Sequence, residues 1–284
     1  MKRICLSAGV AGMLGLLSLS AGAREPVQAS APIQSPGTFC DLVTHKLPNV
    51  SRAVCARAQL ETLPVRSVKG NQLLQRDIVT PRSRLRVLVL GGMHGDELSS
   101  TALVLHWIGA AMETPSNIHW RFVPLVNPDG MLQRQPTRTN ANGVDLNRNF
   151  PTPNWDREAP IYWKQRTRND PRRFPGSKPL SEPESRWLYD EMDRWKPDLI
   201  VSVHAPYGVL DFDGPVAAPE RLGRLYLDQV GIFPGSLGNY GGVHKKVPVV
   251  TIELPSALRT PQDGEIRQMW LDLLRWTAAR FGAA

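Results

Sequence analysis

After residue 19 the chain contains no apolar run approaching the ~20 residues that a membrane-crossing helix needs, so no membrane span is expected there. Cysteine is scarce, with three residues in 284. None of the three sits in a base-bearing motif, which argues against a thiol nucleophile. Internal repeats and low-complexity blocks are absent, as is any nucleic-acid-binding motif, and no nucleic-acid partner is expected. Acidic residues are outnumbered: 34 Lys and Arg stand against 26 Asp and Glu, leaving a net charge of +8. Much of the arginine excess lies between Arg157 and Arg173. That balance suits a solvated basic face, or an anionic lipid or polymer as partner.

Met1-Lys2-Arg3 precedes a run of apolar and small residues from Ile4 to Leu19, followed by Ala21-Gly22-Ala23. A basic start, an apolar stretch and an Ala-x-Ala site make residues 1–23 a signal peptide, and the mature chain is then periplasmic or secreted. Residues 24–38, rich in Ala, Pro, Gln and Ser, read as a flexible leader. Residues 39–84 form a small amino-terminal segment that holds Cys40 and Cys55. In an oxidising compartment this pair is expected to form a disulfide, with two buried thiols as the alternative. Residues 85–284 read as one catalytic α/β domain, and a mature chain of about 260 residues can bury a sizeable core.

Val87-Leu88-Val89-Leu90 reads as a buried strand. Gly91 and Gly92 let the chain turn from it into a helix whose apolar face carries Leu98, Ala102, Leu105 and Ile108. His94 and Glu97 stand at that junction, an i, i+3 pair able to point to one spot above the open end of a sheet. Further strands are expected at Trp120–Val126, Asp198–Val203 and Val247–Ile252, the last two delivering His204 and Glu253. Ser181-Glu182-Pro183-Glu184 reads as a capping box opening a helix to about Trp195. Pro219 to Gln229 reads as helical, and an amphipathic helix closes the chain from about Gln262 to Phe281. The Arg- and Asn-rich stretch 131–151 and the stretch 153–179 read as long irregular loops, which in a compact domain are functional or mobile.

Two histidines and a glutamate at strand ends form the ligand set of a hydrolytic zinc that keeps one position open. On that reading His94, Glu97 and His204 bind one Zn2+ per chain, and Glu253 is the general base. An arginine of the 131–151 loop can steady an oxyanion or hold a carboxylate with both arms of its fork.

Gly92-Met93-His94-Gly95-Asp96-Glu97, Asn127-Pro128-Asp129-Gly130, Asn140 through Pro151, Ser202-Val203-His204 and Thr251-Ile252-Glu253-Leu254-Pro255 occur in one order. This set resembles the zinc carboxypeptidases of the carboxypeptidase A superfamily, with the best fit to bacterial murein peptide amidases. The resemblance implies an α/β/α sandwich around a mixed, twisted sheet of about eight strands. It implies zinc ligands at His94, Glu97 and His204, and a base and proton shuttle at Glu253. Arg138 matches the arginine that steadies the oxyanion, with Arg134 as a rival, and Asn147 and Arg148 match the pair that grips a terminal carboxylate. Tyr240 lies in a loop suited to the tyrosine that closes over substrate in digestive members. The reaction implied is hydrolysis of an amide next to a C-terminal carboxylate-bearing residue, with the γ-D-glutamyl–meso-diaminopimelate bond of peptidoglycan peptides as the leading substrate. Asp211 and Asp213 are candidates for the diaminopimelate ammonium. The alternatives are a carboxypeptidase of ordinary peptides, a zinc N-acyl-amino-acid deacylase of the desuccinylase and aspartoacylase type, and a non-catalytic wall-binding module. The signal peptide departs from the cytoplasmic habit of the best-known murein peptide amidases and favours wall-derived substrate met outside the cytoplasm.

Overall fold

The computed structural model describes residues 32–282. The signal-peptide assignment and the leader up to residue 31 lie outside the described residues. Helices α1 (Pro36–Val43) and α2 (Arg52–Arg57) are bridged by the Cys40–Cys55 disulfide, with Cα atoms 5.7 Å apart. Each helix starts at a serine cap: Ser35 accepts from the Thr38 amide and Ser51 from the Val54 amide. Strands β1 (Glu61–Arg66), β2 (Gln72–Ile78) and β3 (Leu85–Leu90) lead into α3 (Leu98–Glu113), β4 (Ile118–Val123) and the short α4 (Pro128–Met131). A 3-10 turn at Leu146–Arg148 precedes α5 (Trp155–Gln165) and α6 (Pro183–Trp195). Then come β5 (Leu199–His204), β6 (Val209–Asp213), the two-residue strands β7 (Arg221–Leu222) and β8 (Leu225–Tyr226), β9 (Val249–Glu253) and α7 (Asp263–Phe281).

Seven strands form one mixed sheet in the order β1-β2-β4-β3-β5-β9-β6, and β7 pairs only with β8. The sheet therefore has seven strands where about eight were expected. Its centre, β4-β3-β5-β9, is parallel, and β2, β1 and β6 run antiparallel to their neighbours. Parallel strands covered on both faces read as unbroken apolar runs. Accordingly Val87 and Val89 enter one core with Trp107 of α3 and Trp270 of α7. Leu88 and Leu90 enter a second core with Trp187, Leu188 and Met192 of α6. Helices thus cover both faces. The segment before residue 85 is part of this layer, because β1 and β2 extend the same sheet.

Three local expectations are corrected. The segment 219–229 is a tight hairpin, not a helix: Gly223 takes φ +59° and donates its amide to Asp272, which turns the chain back on itself. The stretch 153–179 contains α5 and a 3-10 turn at Pro171–Arg173. Pro160 lies inside α5, and Asp156 and Glu158 in its first turn favour the helix dipole. The capping box at α6 does not form. Ser181 bonds the Glu182 carboxylate and the Glu184 carboxylate accepts from Asn140, so the start of α6 relies on Pro183.

Register decides what meets at the end of the sheet. Ser202 pairs with Leu90 on one side and Thr251 on the other, and His204 lies directly opposite Glu253. The C-terminal ends of β3, β5 and β9 therefore finish on one edge.

Candidate active site

The turn after β3 brings His94 and Glu97 to that edge. A Cβ on Gly95 would lie 2.3 Å from the Met131 amide nitrogen, so only glycine lets the Asn127–Gly130 turn press against it. Asn127 closes that turn by accepting from the Gly130 amide, and its Nδ2 donates to the Arg138 carbonyl. The two motifs are thus packed on each other, and through Asn127 they fix the backbone of Arg138.

Within this frame His94, Glu97 and His204 are buried and their ligand atoms lie within 4.8 Å of one another. His94 Nδ1 is 2.8 Å from Glu97 Oε1, and His204 Nδ1 is 3.1 Å from both Glu97 Oε2 and His94 Nδ1. The far nitrogens are engaged elsewhere: His94 Nε2 with Asp145 Oδ1 at 3.1 Å, and His204 Nε2 with Ser202 Oγ at 2.9 Å. An ionised carboxylate only accepts, so Asp145 fixes the His94 proton on Nε2. Two imidazole lone pairs and a carboxylate then face one point, a donor set that fits a zinc ion.

Charge around the cluster is closely matched. Burial would raise Glu97, but His94 and His204 outweigh it and hold the carboxyl well below the ordinary range. Burial and Arg138 oppose a charge on His94, yet Glu97 and Asp145 prevail and push its pKa up. Arg138 bonds Asp145 Oδ2 through Nε at 2.9 Å and approaches Glu97 Oε1 through Nη1 at 3.4 Å. Its Nη2 makes no hydrogen bond among the described residues.

A cleft of about 450 Å³ opens over the cluster, lined by His94, Glu97, Arg138, Asn147, Arg148, Asp211, Asp213 and Glu253 among others. Glu253 is 8% exposed, and its Oε2 has no partner among the described residues. Burial, together with the Glu97 charge, pushes its pKa up against the pull of His204. Arg148 is 5% exposed; among the described residues its Nε has no partner and its Nη1 bonds only the Asn147 carbonyl. Burial, and then Arg138 and Arg173, hold its pKa down to about 10. Asn147 is anchored by accepting from the Leu237 amide. Asp211 and Asp213 share the face of β6 that looks into the cleft. Asp211 accepts from the Phe212 amide, whereas Asp213, pushed up to about 6 by burial and by Asp211, bonds no donor among the described residues.

Two sequence candidates fall outside this group. Arg134 is exposed and does not line the cleft. Tyr240, 4% exposed, stands in a π-helical segment (Gly238–His244) and packs between Phe150 and Tyr189 in the second core. The cleft also contains residues the sequence did not single out. Phe233 lies under the Arg148 guanidinium, 4.5 Å from Cζ to the ring centroid. Tyr207 follows the cis Ala205–Pro206 bond at the rim and directs its amide to Glu253. Asp145 was visible as part of the Asp-Leu-Asn-Arg motif, but nothing in a linear sequence says that it faces His94.

The match to known proteins agrees with this geometry. The zinc carboxypeptidase family matches residues 56–211. Murein peptide amidase A of Escherichia coli is 34% identical over 203 residues, covering 68% of this chain and 81% of the relative. The Vibrio campbellii protein of the same name is 34% identical over 182 residues, 61% of this chain and 71% of that one. Among solved structures, the murein-tripeptide amidase of Escherichia coli O157 aligns at TM-score 0.56 and 30% identity over 76% of this chain and 90% of its own. Bovine thrombin-activatable fibrinolysis inhibitor aligns at TM-score 0.60 and 17% identity, over 85% and 93%, which speaks to fold alone. The chain belongs to the zinc carboxypeptidase family and is a hydrolase.

Proposed function

We propose that this chain is an exported zinc-dependent amidase that releases a C-terminal, carboxylate-bearing residue, with the γ-D-glutamyl–meso-diaminopimelate bond of murein peptides as its substrate. The observation that carries the reading is the cleft itself. It combines a cation-ready cluster, a buried carboxyl with an unpartnered oxygen and a buried arginine with unpartnered nitrogen. The murein peptide amidases among its relatives supply the substrate class, and the disulfide suits an oxidising compartment. Among the described residues no helix is long and apolar enough to cross a membrane.

His94, Glu97 and His204 would hold the zinc. Bound there, zinc supplies a Lewis acid for the scissile carbonyl and brings a water's pKa toward neutrality. Glu253 Oε2 takes a proton from the water as its oxygen adds to the carbonyl carbon. The same oxygen returns a proton to the amide nitrogen as the C–N bond breaks, leaving a free acid and a free amine. Arg138, held in place by Asp145, turns its uncommitted Nη2 to the oxyanion, an interaction stronger in the transition state than in the substrate. Arg148, steadied on Phe233 and beside Asn147, receives the terminal carboxylate in a charge-assisted pair. Asp213 receives the ammonium of diaminopimelate, a group ordinary peptides lack at that position.

The test is mass spectrometry of the purified, zinc-loaded protein with L-Ala-γ-D-Glu-meso-diaminopimelate beside an L-peptide with a free C-terminus. Free diaminopimelate from the first, abolished by a chelator and restored by zinc, is the expected result. Cleavage of the L-peptide alone would make this an ordinary carboxypeptidase.

A further inference from the structure

The cleft does not end at the zinc cluster. A second hollow lies against it, lined by Tyr162, Arg166, Asp228 and others, and shares Asp170, Arg173, Tyr207, Val230 and Phe233 with the first. Asp211, Asp213, Gly238 and Thr251 line the inner cleft only. The two hollows therefore form one trough that runs out past Arg173 and Tyr207, away from Asp211 and Asp213, the residues given to the diaminopimelate ammonium.

Arg173 stands where the hollows join, and it is poorly matched with acid. Its neighbour Arg172 is committed to Asp96 at 2.6 Å. Among the described residues Arg173 meets one carboxylate, Asp170, at 3.7 Å from Nε. Its guanidinium donates no hydrogen bond among the described residues. It is also near enough to Arg148 to disfavour that residue's charge. Two guanidinium groups on one wall, neither hydrogen-bonded to a carboxylate among the described residues, describe a site for more than one anionic group.

The position of Arg173 is built. Asp170 caps the Pro171–Arg173 turn by accepting from the Arg172 amide, and the Asp170 carbonyl accepts from Trp163 Nε1 at 2.8 Å. Phe174 packs its ring on Trp163 with centroids 4.9 Å apart, and its carbonyl accepts from the Asp145 amide at 2.8 Å. The turn is thereby tied to the residue that orients His94.

A γ-linked glutamyl group keeps its α-carboxylate, separated from the scissile carbonyl by two methylenes and the α-carbon. An α-linked peptide has no anion there. Resting on the murein reading above, we propose that Arg173 binds this acyl-side α-carboxylate, and that the trough selects side-chain-linked glutamyl amides over ordinary peptides.

The experiment compares L-Ala-γ-D-Glu-meso-diaminopimelate with the same tripeptide amidated at the D-glutamyl α-carboxylate. Each is assayed with wild type, R173Q and R173K. The expected ratio of kcat/KM, acid over amide, is about ten for wild type; it falls toward one in R173Q, mainly through KM, and is partly restored in R173K. A ratio near one in wild type, or a ratio unchanged by R173Q, overturns the subsite and leaves the murein reading intact. No diaminopimelate from either tripeptide overturns the murein reading and the subsite together.

Discussion

Replacing Arg148 with methionine should weaken catalysis and strengthen the fold at once. The guanidinium is buried, bonds no carboxylate among the described residues, and is held down to about 10 against the ordinary arginine value. At about 1.4 kcal/mol per tenfold, a displacement of that size means that folding carries a cost of roughly 3 kcal/mol for this charge. A substrate carboxylate that reaches the fork recovers a comparable amount, so R148M should lower kcat/KM on the tripeptide about 100-fold. Without substrate the same change removes an uncompensated charge, less about 1 kcal/mol of stacking on Phe233. The expected gain in unfolding free energy is about 1–2 kcal/mol in urea titrations. The sign of the pH dependence follows from the direction of the shift. Folded and unfolded Arg148 are both protonated below about pH 9, so the gain should be flat from pH 5 to 9 and shrink as the pH rises through 10. An R148M protein that is less stable than wild type would show that Arg148 is not a buried uncompensated charge, and one that keeps its kcat/KM would show that it is not the carboxylate clamp.

Glu184 has no exposed surface, and burial, with Asp129 nearby, pushes it up to about 7. A raised carboxyl contributes stability in full below about pH 4.5, and that contribution is lost as the pH rises through 7. E184Q should therefore gain on wild type by up to about 3 kcal/mol between pH 5 and 8 in urea titrations; a difference constant with pH would contradict this. The Cys40–Cys55 bond closes a separation of 15 residues. The C40A/C55A double variant should lose about 3 kcal/mol of stability while keeping its kcat/KM, measured by denaturation and by tripeptide hydrolysis. D213N should lower kcat/KM on diaminopimelate-containing peptides about tenfold more than on peptides with a neutral last side chain. Equal loss on both would remove Asp213 from the ammonium site.

The cluster of His94, Glu97 and His204 was legible because its physics is local. An apolar run long enough to be a buried strand ends in His204, another in Glu253, and parallel strands deliver such ends to one edge. What escaped was decided by tertiary contacts. The Ser181–Glu184 pattern looks like a cap, but Glu184 is drawn to Asn140 and Glu182 to Asn140 and Asn142, and so the two acids anchor the loop that carries Arg148. Tyr240 sits in a glycine-rich segment that suggested a mobile lid. Gly241 and Gly242, however, allow close packing on Val249 and Asp213, and this draws the ring into the core. Pro160 lies inside α5, where proline normally breaks a helix, so the sequence there does not announce one. Strand β6 is short and alternates, which puts two acids on the cleft face and Leu210 and Phe212 in the core. Five alternating residues are too few to announce a strand from the sequence alone.

On the proposed mechanism Glu253 moves the proton beside a zinc held by three other residues. This role is tested most directly by measuring zinc content and tripeptide hydrolysis on one preparation of E253Q. The expected result is one zinc per chain, as in wild type, with kcat reduced by at least about 1,000-fold. Turnover within tenfold of wild type, or loss of the zinc together with the activity, would contradict it.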